Sequence, residues 1–275
     1  MSSLKKYRYL ILRRITQLTI LFLYISANVW GWKVVVGNLS YSKLFELIPM
    51  TDPFTVLQMF VAGAIISTNL IVGLIVVVLF YGLIGGRAFC SWVCPINMVT
   101  DLAGWLRRKL GIDRGGRRII LPRNFRYWFL GTMVVISGMV GAAAFEFINP
   151  IGIFTRGVIF SLGFGWSLIL AIFLFDLFVV KNGWCGHICP VGATYAIIGA
   201  KNLIRVYHNH ISCTNCGNCK EVCPEKEVLN PIINKKSGFI SGIACTNCGR
   251  CIEVCNDNAL KFSLRGLINQ SKKEL

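Results

Sequence analysis

Acidic side chains are scarce: 12 aspartates and glutamates stand against 29 lysines and arginines in 275 residues, and only 15% of the chain is charged, where a globular protein carries about 25%. With 55% hydrophobic residues and a mean hydropathy of +0.61, so little charge could not cover the surface of a soluble fold, and so much apolar content excludes disorder. Histidine is rarer still. Of His187, His208 and His210 only His187 lies near an apolar run, which excludes a membrane haem b held by two histidines of this chain, and the lack of any CxxCH excludes c-type haem attachment. No small-residue cleavage site follows the first apolar run, which is longer than a signal core, so it reads as a retained helix. Length and long uncharged runs exclude a disulfide-stapled secreted module. The 12 cysteines need another explanation.

What is present in abundance is membrane-spanning length. A helix needs roughly 20 apolar residues to cross a hydrocarbon core of about 30 Å. Four stretches qualify: Ile15 to about Val36, Phe54 to Gly86, Tyr127 to Ile148 and Gly157 to Val180. Glu146 and Asp176 interrupt the last two near their ends, where a structural role outweighs proton chemistry: Glu146 snorkels outward and Asp176 reaches Lys181 or the interface. Basic residues then orient the spans. All but Lys33, Lys43 and Arg156 lie before the first span, between Arg87 and Arg126, or from Lys181 onward. Both termini and the middle loop are therefore expected on the cytoplasmic side, and the linkers around 37 to 53 and 149 to 156 outside. The +17 charge is topology rather than a nucleic-acid surface, because it abuts spans instead of forming a basic domain.

Two internal repeats follow. Cys213-Thr-Asn-Cys216-Gly-Asn-Cys219-Lys-Glu-Val-Cys223 recurs 32 residues later as Cys245-Thr-Asn-Cys248-Gly-Arg-Cys251-Ile-Glu-Val-Cys255, with nine of eleven positions identical. More faintly, Cys90-Ser-Trp-Val-Cys94-Pro95 recurs 95 residues later as Cys185-Gly-His-Ile-Cys189-Pro190. The four spans thus read as two copies of a helical hairpin, each ending in CxxxCP.

CxxCxxCxxxC twice over is the spacing of two-cluster ferredoxins, in which three cysteines of one run hold one cubane and the fourth crosses to the other. One 4Fe-4S cluster is expected on Cys213, Cys216, Cys219 and Cys255, the other on Cys245, Cys248, Cys251 and Cys223, with a helix starting near each fourth cysteine. Pro224 follows the first run as in such ferredoxins, whereas Asn256 stands in that place after the second. Disulfides do not suit a reducing cytoplasm, and structural zinc needs only CxxC pairs. Lys220, Lys226 and Arg250 are the nearby charges expected to raise the cluster potentials.

Cys90, Cys94, Cys185 and Cys189 lie near span ends, where i, i+4 spacing puts each pair on one helical face. They are read as ligands of a further metal centre, as thiols with a redox or partner role, or as small buried packing residues. His187, between Cys185 and Cys189, is either a proton acceptor for a quinol headgroup or a hydrogen-bonded structural histidine. A quinone site is guessed near Cys94, Cys189 and His187. The expected fold is an α-helical integral membrane protein with four transmembrane helices over residues 1–204, followed by a cytoplasmic α+β two-cluster ferredoxin domain over 205–275. The hairpin repeat alone would also suit a transporter.

Leu12-Arg-Arg-Ile15, Gly37-Asn-Leu-Ser-Tyr-Ser42, Pro49-Met-Thr-Asp-Pro53, Phe89-Cys-Ser-Trp-Val-Cys-Pro-Ile-Asn97, Thr100-Asp-Leu-Ala103 and Gly183-Trp-Cys-Gly-His-Ile-Cys-Pro-Val-Gly-Ala193 closely resemble the NapH family, the membrane ferredoxin-type subunits of periplasmic nitrate reductase systems. MauN and NosR-like proteins share the architecture. The resemblance covers nearly the whole chain and implies an inner-membrane electron-transfer subunit of a quinol dehydrogenase module, serving nitrate respiration. It implies quinol as donor, NapG-like iron-sulfur and NapC-like multihaem proteins as partners, and a partner-interaction role for the CxxxCP pairs. No complete catalytic site is visible in the chain. The rival reading is a maturation factor that keeps a partner's cofactor or thiols reduced.

Overall fold

The computed structural model describes residues 7–112, 121–160, 165–229, 232, 236–240 and 242–265. The chain forms two compact units that interleave in sequence: one takes the described residues up to Thr16, Phe80–Val93 and Tyr195 onward, the other Gln17–Leu79 and Cys94–Thr194. The boundary expected at 204/205 therefore falls inside the first of these units.

Helix α1, Arg8–Val29, belongs up to Thr16 to the unit that also takes Tyr195 onward and from Gln17 to the apolar unit, and is the one described helix long and apolar enough by length and composition to cross a membrane. It stops seven residues short of the expected Val36. Gly31 turns left-handed at φ 70°, and the β-branched run that follows enters a three-stranded antiparallel sheet, β1 Val35–Gly37, β2 Tyr41–Leu44 and β3 Ile48–Thr51. The three-residue β2–β3 loop places Phe45 and Glu46 at positive φ and is closed by the Leu47 N–H donating to the Leu44 carbonyl at 3.1 Å. The expected linker 37 to 53 is thus largely sheet.

Among the described residues two of the other three expected spans, 54–86 and 127–148, are divided. The stretch 54–86 becomes α2, Pro53–Val61, and α3, Thr68–Ile84, separated at Gly63 with φ 74°. Asp52 caps α2 by accepting from the Thr55 N–H at 3.1 Å, with Pro53 at its first position. Helix α5, Phe125–Val140, ends on Gly141 in the left-handed region and is followed by α6, Ala144–Ile148. Before it comes α4, Ile96–Lys109. After it come α7, Pro150–Phe160, and α8, Gly165–Leu174, the latter running into a π-helical turn at Phe175–Val179. Hydropathy averages over a window and does not register a single left-handed glycine, so the breaks escape it. Among the described residues α3, α5 and the stretch Gly165–Val179 are apolar but of 10–17 residues. They expose large apolar side chains, Trp128 at 76% and Met139 at 75% among them.

Several buried polar groups in this unit cross-link its segments. Gln58 Oε1 accepts from Ser137 Oγ at 3.0 Å and the Phe145 N–H at 2.9 Å. Glu146 accepts from Ser40 Oγ at 3.0 Å, Thr55 Oγ1 at 2.9 Å and Asn149 Nδ2 at 3.1 Å. Asp176, 1% exposed, accepts from the Trp184 N–H at 3.0 Å, while Arg107 donates to the backbone carbonyls of Asp176 and Leu177. Both acids do structural work, Glu146 through three side chains and Asp176 through the Trp184 backbone.

The second unit is built on a three-stranded antiparallel sheet with β4, Ile204–His208, between β5, Gly238–Phe239, and β6, Leu260–Leu264. Val206, Leu229, Ile240, Ile252 and Leu260 form its core. Tyr9 at the start of α1 packs edge-to-face on Phe262 at 5.4 Å, and the Leu10 N–H, unpaired within its own first turn, donates to Glu253 Oε1 at 2.9 Å. The chain after α3 crosses the end of helix α9, Pro190–Ile198, at Gly86 and Gly199, beside a stacked Phe89 and Tyr195 at 4.6 Å.

Candidate iron-sulfur sites

The two cysteine runs fold alike. In each CTNCG loop the asparagine and glycine take left-handed backbone: Asn215 at φ 57° and Gly217 at 81°, Asn247 at 49° and Gly249 at 76°. Glycine adopts this freely and asparagine better than other side-chain-bearing residues. The loop curls as a result, and the asparagine carboxamides lie near their own sulfurs, Cys213 Sγ to Asn215 Oδ1 at 3.9 Å and Cys245 Sγ to Asn247 Oδ1 at 3.5 Å. A short helix then follows, α10 at Asn218–Val222 and α11 at Arg250–Glu253. The sequence placed a helix start near each fourth cysteine. In the structure the helix ends there instead, delivering Cys223 and Cys255 from its C-terminus.

The structure gathers the eight cysteines around two cavities. Cys213, Cys216, Cys219 and Cys255 line one, and Cys223, Cys245, Cys248 and Cys251 line the other. No three His, Cys, Asp or Glu side chains among the described residues close on one ion. Four thiols spread around a cavity wall are the donor arrangement a cubane uses, each sulfur taking a different iron, so the residues fit the group. The sets differ in burial. Cys216 of the first is exposed, while Cys251 of the second is buried. Burial, with Cys213, Cys216 and Cys255 adding their charges, pushes the Cys219 thiol up. Burial, then Cys248, pushes Cys223 up to about 12. Such thiols are thiolates at neutral pH only against positive charge, which bound iron supplies.

Of the expected potential-raising charges, Lys220 lines the first cavity and Arg250 the second, while Lys226 lines neither. Sequence reasoning missed two deeper ones. Arg87 is 2% exposed and donates to Glu225 Oε1 at 2.8 Å and the Ala244 carbonyl at 2.7 Å, next to Cys223 and Cys245. Arg205, 1% exposed on β4, donates to the Gly242 carbonyl at 2.7 Å, three residues before Cys245.

The CxxxCP pairs adopt one local structure twice. Cys90 lies in a π-helical turn, Phe89–Val93, and Cys185 in another, Trp184–Ile188. Cys94 and Cys189 follow just outside these turns, and Pro95 and Pro190 open helices α4 and α9. The wide turn and the break before proline remove the continuous α-helical face on which the i, i+4 expectation rested. Gln17 Nε2 donates to the Cys94 carbonyl at 3.0 Å, and Asp176 braces the second turn through the Trp184 N–H. His187 sits in that turn beside Cys185, half-buried.

Fold and cysteines together define a ferredoxin-type iron-sulfur protein. Residues 205–256 match the 4Fe-4S dicluster domain family, and residues 66–113 and 162–206, each holding one CxxxCP pair, match the 4Fe-4S binding domain family. The chain is 43% identical to the methylamine utilization ferredoxin-type protein MauN of Methylorubrum extorquens, over 84% of this chain and 79% of that one. It is 41% identical to the ferredoxin-type protein NapH of Escherichia coli, over 85% of this chain and 81% of that one. No solved structure matches. The chain belongs to the NapH/MauN family of ferredoxin-type electron-transport proteins.

Proposed function

We propose that this chain is a multi-pass inner-membrane subunit that takes electrons from quinol and passes them, through two 4Fe-4S clusters, toward a periplasmic nitrate reductase. The observation that carries the reading is the pair of cavities, each lined by three cysteines of one run and the fourth of the other. Cys213, Cys216, Cys219 and Cys255 would hold one cluster, and Cys245, Cys248, Cys251 and Cys223 the other. Each bound cluster would take and release one electron. The exposed apolar faces of α3 and α5 support membrane insertion beyond α1, and the basic flanks support cytoplasmic termini. The likeness to NapH supports NapG-like and NapC-like partners. The match of each CxxxCP segment to a 4Fe-4S binding family supports a further metal centre at Cys90, Cys94, Cys185 and Cys189, with a quinol headgroup near Cys94, Cys189 and His187.

A second reading, a maturation factor supplying electrons to a partner's cofactor or thiols, is favoured by an equal likeness to MauN, a methylamine utilization protein. Anaerobically purified full-length protein treated with a reduced quinol separates the two. Electron paramagnetic resonance showing reduced 4Fe-4S without any partner supports a quinol site in this chain. Clusters that answer to dithionite but not to quinol sink that site and favour the maturation reading.

Crossed ligation makes a prediction of its own. Cys255→Ser, although in the second run, is expected to perturb the cluster shared with Cys213 and leave the other intact, halving cluster-bound iron. A Cys255→Ser protein whose altered spectrum matches that of Cys248→Ser would contradict the crossing.

A further inference from the structure

The two cysteine sets sit in unlike electrostatic surroundings, and Arg205 makes most of the difference. The residue is 1% exposed. It donates to the Asn202 side-chain oxygen, to the Gly242 carbonyl at 2.7 Å, to the Gly199 carbonyl at 2.9 Å and to the Ile240 carbonyl at 3.5 Å. All four acceptors are neutral. Among the described residues it pairs with no carboxylate, and two of its anchors, Ile240 on the wall of the second cavity and Gly242 three residues before Cys245, place it behind that set. A buried cation without a counter-charge costs several kcal/mol, so the fold holds this arginine in place for an anion at the second set. The other charges there are Arg87, cancelled by Glu225 at 2.8 Å, and Arg250. The first set has Lys220, half-buried, opposed by Asp257, together with His208 on the cavity wall. Solvent weakens charges at such a rim far more than a charge buried behind Cys245.

We infer that Arg205 is the counter-charge of the cluster held by Cys223, Cys245, Cys248 and Cys251, and that it makes this cluster the higher-potential member of the pair. Reduction adds one electron, and so one negative charge, to a cluster. A buried guanidinium behind its thiolates stabilises the reduced form over the oxidised one. Electrons arriving at the exposed first set then settle on the buried second. Arg205 positions charge and touches no substrate.

The inference rests on the two-cluster reading, and a redox titration of the full-length, iron-loaded protein followed by electron paramagnetic resonance tests the two separately. Iron content and signal first establish whether two clusters form, and their absence defeats the reading itself. Cys216→Ser, which alters the signature of the first cluster only, assigns the two midpoint potentials. The second cluster is expected to hold the higher one, and the reverse order overturns the inference. Arg205→Gln is expected to lower the second cluster's reduced-to-oxidised ratio at fixed poise at least tenfold, a shift of 59 mV or more for one electron. The first cluster moves much less. Arg205→Lys, which keeps the charge and loses the fork, shifts it by less in the same direction. An unmoved second midpoint in a fully loaded Arg205→Gln protein also overturns it. Should that variant fail to load, the wild-type assignment decides.

Discussion

Gly199→Ala is expected to abolish accumulation of folded, iron-bearing protein, while Gly131→Ala leaves it unchanged. A Cβ on Gly199 would lie 2.2 Å from the Gly86 nitrogen and 2.3 Å from its Cα. The converse contact is as severe: a Cβ on Gly86 would lie 2.0 Å from the Tyr195 carbonyl oxygen and 2.5 Å from the Gly199 nitrogen. Overpacking against side chains usually costs about 1–3 kcal/mol, because rotamers can give way. Here backbone meets backbone and no rotamer can relieve the clash, so the cost belongs above about 4 kcal/mol. That is much of the roughly 5–15 kcal/mol that holds a domain together. Gly131, on α5, has open space where a Cβ would go. Iron per protein and yield after detergent purification read the difference. A Gly199→Ala protein purified at wild-type yield with full iron would show that the two segments do not cross this closely.

Arg87→Met is expected to destabilise the unit containing both cysteine runs by about 3–5 kcal/mol, the cost of leaving one member of a buried ion pair alone. Arg87 and Glu225 are 2% and 3% exposed in their side chains. Glu225 follows Cys223 by two residues, and the Ala244 carbonyl that Arg87 also holds immediately precedes Cys245. Iron loss from the second set should therefore accompany the loss of stability. Glu225→Gln costs less than Arg87→Met, since an amide oxygen still accepts from Arg87. The double variant Arg87→Met/Glu225→Met recovers most of the loss, as apolar replacement of both partners removes the stranded charge. It stays short of wild type by about 1 kcal/mol for the Ala244 carbonyl left without its donor. Thermal unfolding of the four proteins closes the cycle, and additive single and double effects would show that the pair is not coupled.

Much of this protein can be read one residue after another. The 32-residue repeat names the eight cysteines that line the two cavities, and the left-handed Asn-Gly pairs that curl their loops are there in CTNCG. The 95-residue offset of the CxxxCP pairs anticipates that Phe89–Val93 and Trp184–Ile188 fold as the same π-helical turn. The breaks at Gly63 and Gly141 were less visible, because a window long enough to detect a span averages across them. Val35–Gly37 extended an apolar run in sequence but pairs as a strand with Tyr41–Leu44, a choice made by its partner. The near-terminal places of Glu146 and Asp176 point to a structural role, but which groups they hold, Ser40 and Thr55 for one and the Trp184 N–H for the other, is decided by tertiary contact.

The kind of ligand, the number of ligands and the apolar character of the chain are matters of composition and short spacing, so the sequence alone determined them. Which charges face those ligands is another matter. Nearby lysines on the runs themselves were the natural candidates by proximity in sequence, yet the buried cations are Arg205, delivered by the pairing of β4 with β5 and β6, and Arg87, which meets Glu225 across 138 residues and Ala244 across 157. Burial decides how strongly a charge is felt. Burial arises only when distant segments pack, as at Gly86 and Gly199, and so the electrostatics of the two sites belong to the tertiary structure.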